Sequence, residues 1–469
     1  MIVSTDHHLM KLHLVVAALL AVCTSIAADR KLTALIVDGM NNHDWAAGTR
    51  AIQSILEGSG RFTVDVSTFP AKPDFSRYDV VINNFNGGHT ADGTRWPHDV
   101  ELALESFVKG GGGLVVYHAA NNAFLNWPEY NQMIGLGWRD KSFGEGIAIG
   151  PAGTLVRVPK GEGLNPGHGP RHDFEIYVRD AAHPITKGLP AHWPHPSEQL
   201  THGQHGPAQG LDILTYAFSE ISHQGEPMDW VKSYGRGRVY TTMLGHTWKD
   251  ELNPNLDDLY FQALLARGVE WAATGKVTLP ADLGWRPLFS AKSLDGWQPR
   301  GECLWSVLPD GTLLGKRTAG TSPTQAWLYT TAEYGEFDLH VEYWIPAGGN
   351  SGVSIRDRSR AAAAIGETLP YTTPAHVGYE IQIIDDDAEA YPTGSVYLFA
   401  AAKTGVYRRG VWNSLDIESR NTLIRVRLNG QIVAESPGDP ARPKVGPIGL
   451  QLHDRFSTAM FRNIRLRQR

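Results

Sequence analysis

Residues that could do chemistry concentrate between positions 348 and 387. Residues 348–358 read G-G-N-S-G-V-S-I-R-D-R and residues 378–387 read G-Y-E-I-Q-I-I-D-D-D. In a β-strand alternate side chains share a face, so Glu380 and Gln382 point one way while Tyr379, Ile381 and Ile383 point the other. A carboxylate and an amide then share one wet face. Asp385 falls on the opposite face under regular alternation, and only a β-bulge would swing it back to make a carboxylate pair. A carboxylate flanked by Tyr and Ile on a buried type of strand is costly unless something pairs it or uses it.

The elements that must carry these groups are short strands. Beyond residue 285 the candidates are 305–308, 312–314, 337–344, 352–356, 379–384, 413–418, 423–428, 431–435, 446–453 and 459–466. Gly, Asn and Pro turns separate them and no long helix intervenes, which describes a β-sandwich. Asn429-Gly430 is the dipeptide of a two-residue hairpin turn.

The first half has another rhythm. Residues 32–37, 62–66, 79–82, 114–117 and 238–244 read as strands, and 46–57 and 98–108 have helical periodicity. Strands alternating with helices imply a mostly parallel, doubly wound sheet. Polar residues follow the strands: Asn41, Asn42, His43 and Asp44 after the first, Asn83, Asn84 and Asn86 after another, His118, Asn121 and Asn122 after another, and His246 after the last. Ligands of open parallel sheets bind outside the carboxyl ends of the strands, so these groups describe one polar crevice. The alternative is that Asn and His merely make turns and helix caps. The Gly run at 110–113 precedes a strand and reads as a helix stop rather than a phosphate loop. His118 stands where a nucleophile elbow would put Ser or Cys, so covalent acyl chemistry of that kind is unavailable. The long His- and Pro-rich stretch 168–206, with Glu198 and His202, reads as a binding loop that covers the crevice.

Composition bounds the rest. A chain of 469 residues is too long for one typical core, and its formal charge of -6 comes without any basic run, which argues against nucleic acid as a partner. Fourteen Trp suit sugar-binding faces as well as cores. Residues 1–27 read as a signal peptide: Lys11, an apolar run over 12–22, then Ser25-Ile26-Ala27 at the cleavage site. The run is short for a bilayer span, so the mature chain is expected to lack a transmembrane segment and to be periplasmic or secreted. Cys23 leaves lipidation open, although Val22 is larger than a lipobox prefers. Cys303 alone remains after cleavage, so no internal disulfide can form.

The segments N-N-H-D-W (41–45), G-G-G-L-V-V-Y-H-A-A-N-N-A-F (111–124), W-P-E-Y (127–130), Y-G-R-G-R-V-Y-T-T-M-L-G-H (234–246) and R-G-V-E-W-A-A-T-G-K-V (267–277) resemble the trehalose-utilisation, ThuA-like family. The resemblance implies a flavodoxin-like sheet of class I glutamine-amidotransferase type over residues 31–277, without the amidotransferase cysteine. It also implies a possible divalent metal, for which His43, His118 and His246 are the candidates, with His168, His172 and Asp173 in a loop nearby. Residues 278–284 read as a linker. The remainder, 285–469, is similar to the 3-keto-disaccharide hydrolase domain, through P-L-F-S-A-K-S-L-D-G-W (287–297), the two segments quoted first, T-G-S-V-Y (393–397), Trp412-Asn413, G-L-Q-L-H-D (449–454) and F-R-N-I-R-L (461–466). That resemblance implies a concanavalin-like jelly roll. The fold class expected is therefore α/β followed by all-β.

A sugar with a C3 carbonyl has an acidic C2 proton, so a base can remove it, the C1 substituent can leave, and water can add back. The expected roles are Glu380 as base, Asp385 or His453 as acid, and Arg356 beside the developing negative charge. Asn350, Gln382 and Gln451 would bind sugar hydroxyls and Trp412 would stack on a pyranose. The blander readings are a surface pair for Arg356 and Asp357, a solvated or calcium-binding turn for Asp385, and a satisfied sheet histidine for His453. The expected partner is a small-molecule or oligosaccharide substrate. The competing function is a carbohydrate-binding sandwich attached to a metal-dependent, sugar-processing α/β domain.

Overall fold

The computed structural model describes residues 30–88, 93–317, 325–365 and 373–469; the export signal expected over 1–27, with Cys23, lies outside them. The chain divides into two compact units, one running to Lys249 and resuming over Pro254–Leu279, the other made of Asp250–Asn253 and Pro280–Arg469. No helix among the described residues is long and apolar enough to cross a membrane.

The first unit is α/β. Its strands are β1 (Leu32–Asp38), β2 (Phe62–Thr68), β3 (Val80–Asn83), β4 (Gly113–Tyr117), β5 (Glu145–Ile149), β6 (Leu155–Val158), β7 (His172–Val178), β8 (His192–Glu198), β9 (Leu211–Ser219), β10 (Gln224–Tyr234) and β11 (Gly237–Thr242). Helices α1 (Trp45–Gly58), α2 (His98–Lys109), α3 (Pro128–Ile134) and α4 (Leu259–Thr274) complete the unit. The main sheet runs β2-β1-β3-β4-β11-β10-β9-β7-β8. Its pairings are parallel from β2 to β11 and antiparallel beyond. The expected parallel sheet is thus only the first half of a mixed one. β3 and β4 are buried along their whole length, as strands covered on both faces must be. α2 stops at Gly110, as the glycine run implied.

The stretch 168–206 is not the continuous loop the sequence suggested, although its His168, Gln199 and Thr201 do line the crevice it was expected to cover. It folds into β7 and β8 at the sheet edge. An edge strand tolerates Pro194 and Pro196 because one side of it needs no ladder donors.

The second unit is all-β: β12 (Trp297–Arg300), β13 (Leu304–Val307), β14 (Leu313–Lys316), β15 (Ala326–Thr330), β16 (Phe337–Trp344), β17 (Asn350–Ile355), β18 (Tyr379–Ile384), β19 (Asn413–Arg420), β20 (Leu423–Leu428), β21 (Gln431–Ser436), β22 (Ile448–Leu452) and β23 (Thr458–Gln468). One sheet runs β13-β14-β23-β16-β19-β20-β21 and the other β12-β15-β22-β17-β18. Leu339, Val341 and Tyr343 of the first sheet share a core with Tyr379, Ile381 and Ile383 of the second, all 0% exposed. Alternation therefore turns Glu380 and Gln382 away from that core. Asn429 and Gly430 link β20 to β21 with φ of 48° and 76°, as a turn with two left-handed residues requires.

Candidate functional site

Three imidazoles converge beyond the carboxyl ends of β1, β4 and β11. Asp44 caps α1 by accepting from the Ala47 amide, so it is a helix cap rather than a crevice group, and it fixes the loop that presents His43. His118 follows β4 directly and takes φ 43°, a left-handed conformation that turns its ring over the strand end. His246 stands four residues past β11. Ring centroids lie 5.0 Å apart for His43–His118, 4.2 Å for His43–His246 and 5.0 Å for His118–His246. One ligand atom from each falls within 4.8 Å of the others.

Tautomers follow from the neighbours. His118 Nδ1 meets the Met243 carbonyl at 2.5 Å and His43 Nδ1 meets Asn41 Oδ1 at 2.9 Å. A carbonyl oxygen can only accept, so each Nδ1 carries the proton and each Nε2 keeps a lone pair. His118 Nε2 faces His246 Nδ1 across 3.2 Å. Burial holds His118 below the ordinary histidine range; burial and the neighbouring His118 bring His246 to about 3. Three imidazoles, two of them with Nδ1 tied to a carbonyl oxygen, are the donor set a zinc-like divalent ion takes, so the residues fit a metal. They line a cleft together with Asn42, Asn122, Trp138, His168, Gln199 and Thr201.

The remaining crevice candidates lie behind that cleft. Asn121 is fully buried and donates to Gln204. Glu198 is fully buried and accepts from the amides of Gly245 and His246. His172 and Asp173 are exposed on β7, apart from the three histidines. Arg139 is 1% exposed and donates to the carbonyls of Asn121, Asn122 and Ala123, which pins the turn behind His118. Sequence reasoning missed Arg139, Trp138, His195 and Asp258. Only Asp258 carried a signal, as an N-cap before a helical stretch.

In the second unit the face of β12-β15-β22-β17-β18 that turns away from the core is polar. Glu380 pairs across β17 with Ser354, and Gln382 with Gly352. Gln451 of β22 shares the face, its Nε2 donating to Glu380 Oε1 at 2.7 Å. Asn350 opens β17 on the same alternation, and His453 follows Gln451 two residues on. Asn350 Oδ1 and Gln451 Oε1 are buried without a donor among the described residues. Glu380 is 3% exposed, and burial pushes its carboxyl up to about 8. Burial lowers His453. Trp327 and Tyr329 of β15 stack at 5.6 Å beneath Ala361 and Ala364. The Tyr329 hydroxyl donates to Asp357 at 2.9 Å.

Three expected members are elsewhere. The β17–β18 register has no shift, so no bulge brings Asp385 round; it accepts from the Gly348 amide and pairs with Arg409 at 3.1 Å. Arg356 takes φ 61° and sends its guanidinium to the Asn421 carbonyl at 2.6 Å. Nor does it pair with Asp357, which instead accepts from Tyr329, the Ala361 amide and Ser359. Trp412 precedes β19 of the other sheet, and Arg462 covers its ring at 4.3 Å.

Comparison with known proteins follows the two units. Residues 33–272 match the family described as Trehalose utilisation, ThuA. Residues 284–467 match the 3-keto-alpha-glucoside-1,2-lyase-like domain. Among solved structures, a thua-like protein of Parabacteroides merdae ATCC 43184 is 37% identical, covering 53% of this chain and 92% of its own, with a TM-score of 0.49. A candidate glycosyl hydrolase of Parabacteroides distasonis ATCC 8503 is 27% identical, covering 39% of this chain and 99% of its own, at a TM-score of 0.32. No curated protein matches the chain. With more than half of its length inside the first match, the chain belongs to the trehalose-utilisation (ThuA) family, and it carries a 3-keto-glucoside-lyase-like domain behind the ThuA unit.

Proposed function

We propose that the protein is an exported carbohydrate-active enzyme that cleaves 3-keto-glycosides on the polar face of its second unit. The reading takes residues 31–277 as a flavodoxin-like domain, 278–284 as a linker and 285–469 as a concanavalin-like jelly roll. The observation that supports it is the Glu380 carboxyl, buried beside the Gln451 amide, on a face that also holds unsatisfied amide oxygens. Ionised, such a group is a strong base for its type, and Asn350 and Gln451 offer acceptors for sugar hydroxyls.

In the reaction Glu380 takes the C2 proton and the electron pair forms an enolate with the C3 carbonyl. The enolate collapses, the C1–oxygen bond breaks, and Glu380 returns the proton it took from C2 to the departing oxygen, since burial lowers His453 and leaves its ring neutral where Glu380 is ionised. Water added across the resulting C1–C2 double bond completes hydrolysis. With Arg356 turned away, the N–H groups offered to the C3 oxygen are the amides of Gln382 and Gln451.

The three-imidazole cluster favours a second reading, in which the first unit's cleft processes a sugar of its own. A divalent ion held by His43, His118 and His246 would act there as a Lewis acid on a sugar oxygen. Incubating the full chain with 3-keto-trehalose and following reducing-sugar release separates the two. Loss of cleavage in Glu380→Gln with retention in His118→Ala supports the first reading; the reverse pattern supports the second.

A further inference from the structure

The carboxylate of Glu198 ends β8 with no exposed surface, yet a charge taken out of water is retained only where its surroundings require it. Every hydrogen-bond partner it has on the adjoining chain is a donor. Oε2 accepts from the Gly245 amide at 2.8 Å, the His246 amide at 3.1 Å and Asn255 Nδ2 at 2.9 Å. Oε1 accepts from the Gln199 amide at 3.0 Å. Asn255 Nδ2 also donates to the His246 carbonyl at 2.9 Å, so residue 246 is held at both its nitrogen and its oxygen. Gln199 and His246 both line the cleft. Behind Glu198, His195 Nε2 lies 3.6 Å away, and its Nδ1 meets Asp258 Oδ2 at 2.6 Å. Asp258 in turn accepts from the Tyr260 amide as cap of α4 and from Trp193 Nε1. A line of groups therefore runs from a helix terminus to the backbone of one imidazole.

A second buried carboxylate of the same unit is different in kind. Asp229, 0% exposed, accepts from the hydroxyls of Thr215 at 2.5 Å and Tyr240 at 2.6 Å, and it touches none of the three histidines. Its partners are satisfied within the sheet, whereas those of Glu198 are the backbone that aims His246.

We infer that Glu198 is the positioning carboxylate of the cleft: it clamps the backbone of His246 and Gln199, fixes the direction of the His246 ring, and places a negative charge behind the three-imidazole cluster. The inference rests on the second reading above, that the cluster holds a divalent ion. Outer groups that orient a metal ligand typically contribute 10- to 100-fold in affinity.

The test is zinc binding by the full chain, stripped with chelator and titrated calorimetrically, with the thermal midpoint recorded alongside. Glu198→Gln is expected to weaken zinc by about 10- to 100-fold. Asp229→Asn, which also disturbs a buried carboxylate, is expected to lower the midpoint while leaving affinity within about 3-fold, a change too small to count as a lost positioning contact. Unchanged affinity in Glu198→Gln overturns the inference, and so does an equal loss in both variants. Should Glu198→Gln fail to fold, Asn255→Leu removes one donor from the clamp and is expected to weaken zinc about 10-fold; unchanged affinity there overturns the inference equally. If wild type and His118→Ala bind zinc alike, the metal reading itself is wrong and the role assigned to Glu198 falls with it.

Discussion

Gln451 Nε2 donates to Glu380 Oε1 across 2.7 Å, directly over Gly352. A Cβ at position 352 would lie 2.9 Å from Glu380 Oε1 and 3.3 Å from Gln451 Oε1. The absence of a side chain on β17 is thus what lets an acid of β18 and an amide of β22 meet over the strand between them. The amide is neutral, so it leaves the carboxyl to the effect of burial, which disfavours the ionised form.

Gly352→Ala should therefore damage the site without damaging the sandwich. The added methyl must displace Glu380 or Gln451. Cleavage of a 3-keto-glycoside is expected to fall by about 10- to 100-fold, the scale of a misplaced catalytic group, with the urea midpoint nearly unchanged. Steady-state kinetics and urea unfolding of the variant check this together.

Glu380 should also make stability depend on pH. Its carboxyl titrates near 8 in the folded chain against 4.5 for the unperturbed group. Between those values the folded state holds one proton more than the unfolded state. The associated stability is fully present below about pH 4.5 and is lost as pH rises through about 8. The loss amounts to as much as ~5 kcal/mol at 1.36 kcal/mol per pH unit. Glu380→Gln lacks this proton, so relative to wild type it should gain stability from pH 5 to pH 8.5; thermal midpoints across that range give the answer.

The sequence was legible where one interaction dominates. Period-two alternation placed Glu380 and Gln382 on one face, and β18 keeps it without a shift. Polar residues after parallel strands pointed to one crevice, and His43, His118 and His246 meet there. What could not be read depends on tertiary partners. The turn-out of Arg356 follows from φ 61° and a distant carbonyl at Asn421, and neither leaves a mark in the local pattern. Trp412 was an aromatic with no address until β19 put it beside Arg462. The strand β8 was hidden because His and Pro fill it, and β7, which pairs with β8, is joined to the sheet by β9 from outside the segment.

The turn behind His118 makes a prediction about stability. Arg139 gives its guanidinium to four backbone carbonyls, those of Asn121, Asn122, Ala123 and Trp138, and to Asn131 Oδ1. Arg139→Met would strand these buried acceptors, at a cost of about 1–3 kcal/mol for each left unsatisfied. A fall of several kcal/mol in urea unfolding is expected.

Removal of a bound cation should be visible without any substrate. If the three histidines hold zinc, chelation lowers the thermal midpoint of wild type, since a ligand that binds only the folded state stabilises it by ~2.7 kcal/mol at a hundredfold excess over Kd. The same chelator should leave His118→Ala unmoved. Equal shifts in both proteins would place the metal elsewhere.

The central claim is that Glu380 is the base, and the pH dependence of kcat/KM on a 3-keto-glycoside tests it most directly. The rate should climb with pH and level off near 8, where the carboxyl ionises, and Glu380→Gln should lose that limb along with about 100-fold or more in rate. A wild-type profile flat between pH 6 and 9, or a Glu380→Gln variant within a few-fold of wild type, would contradict it.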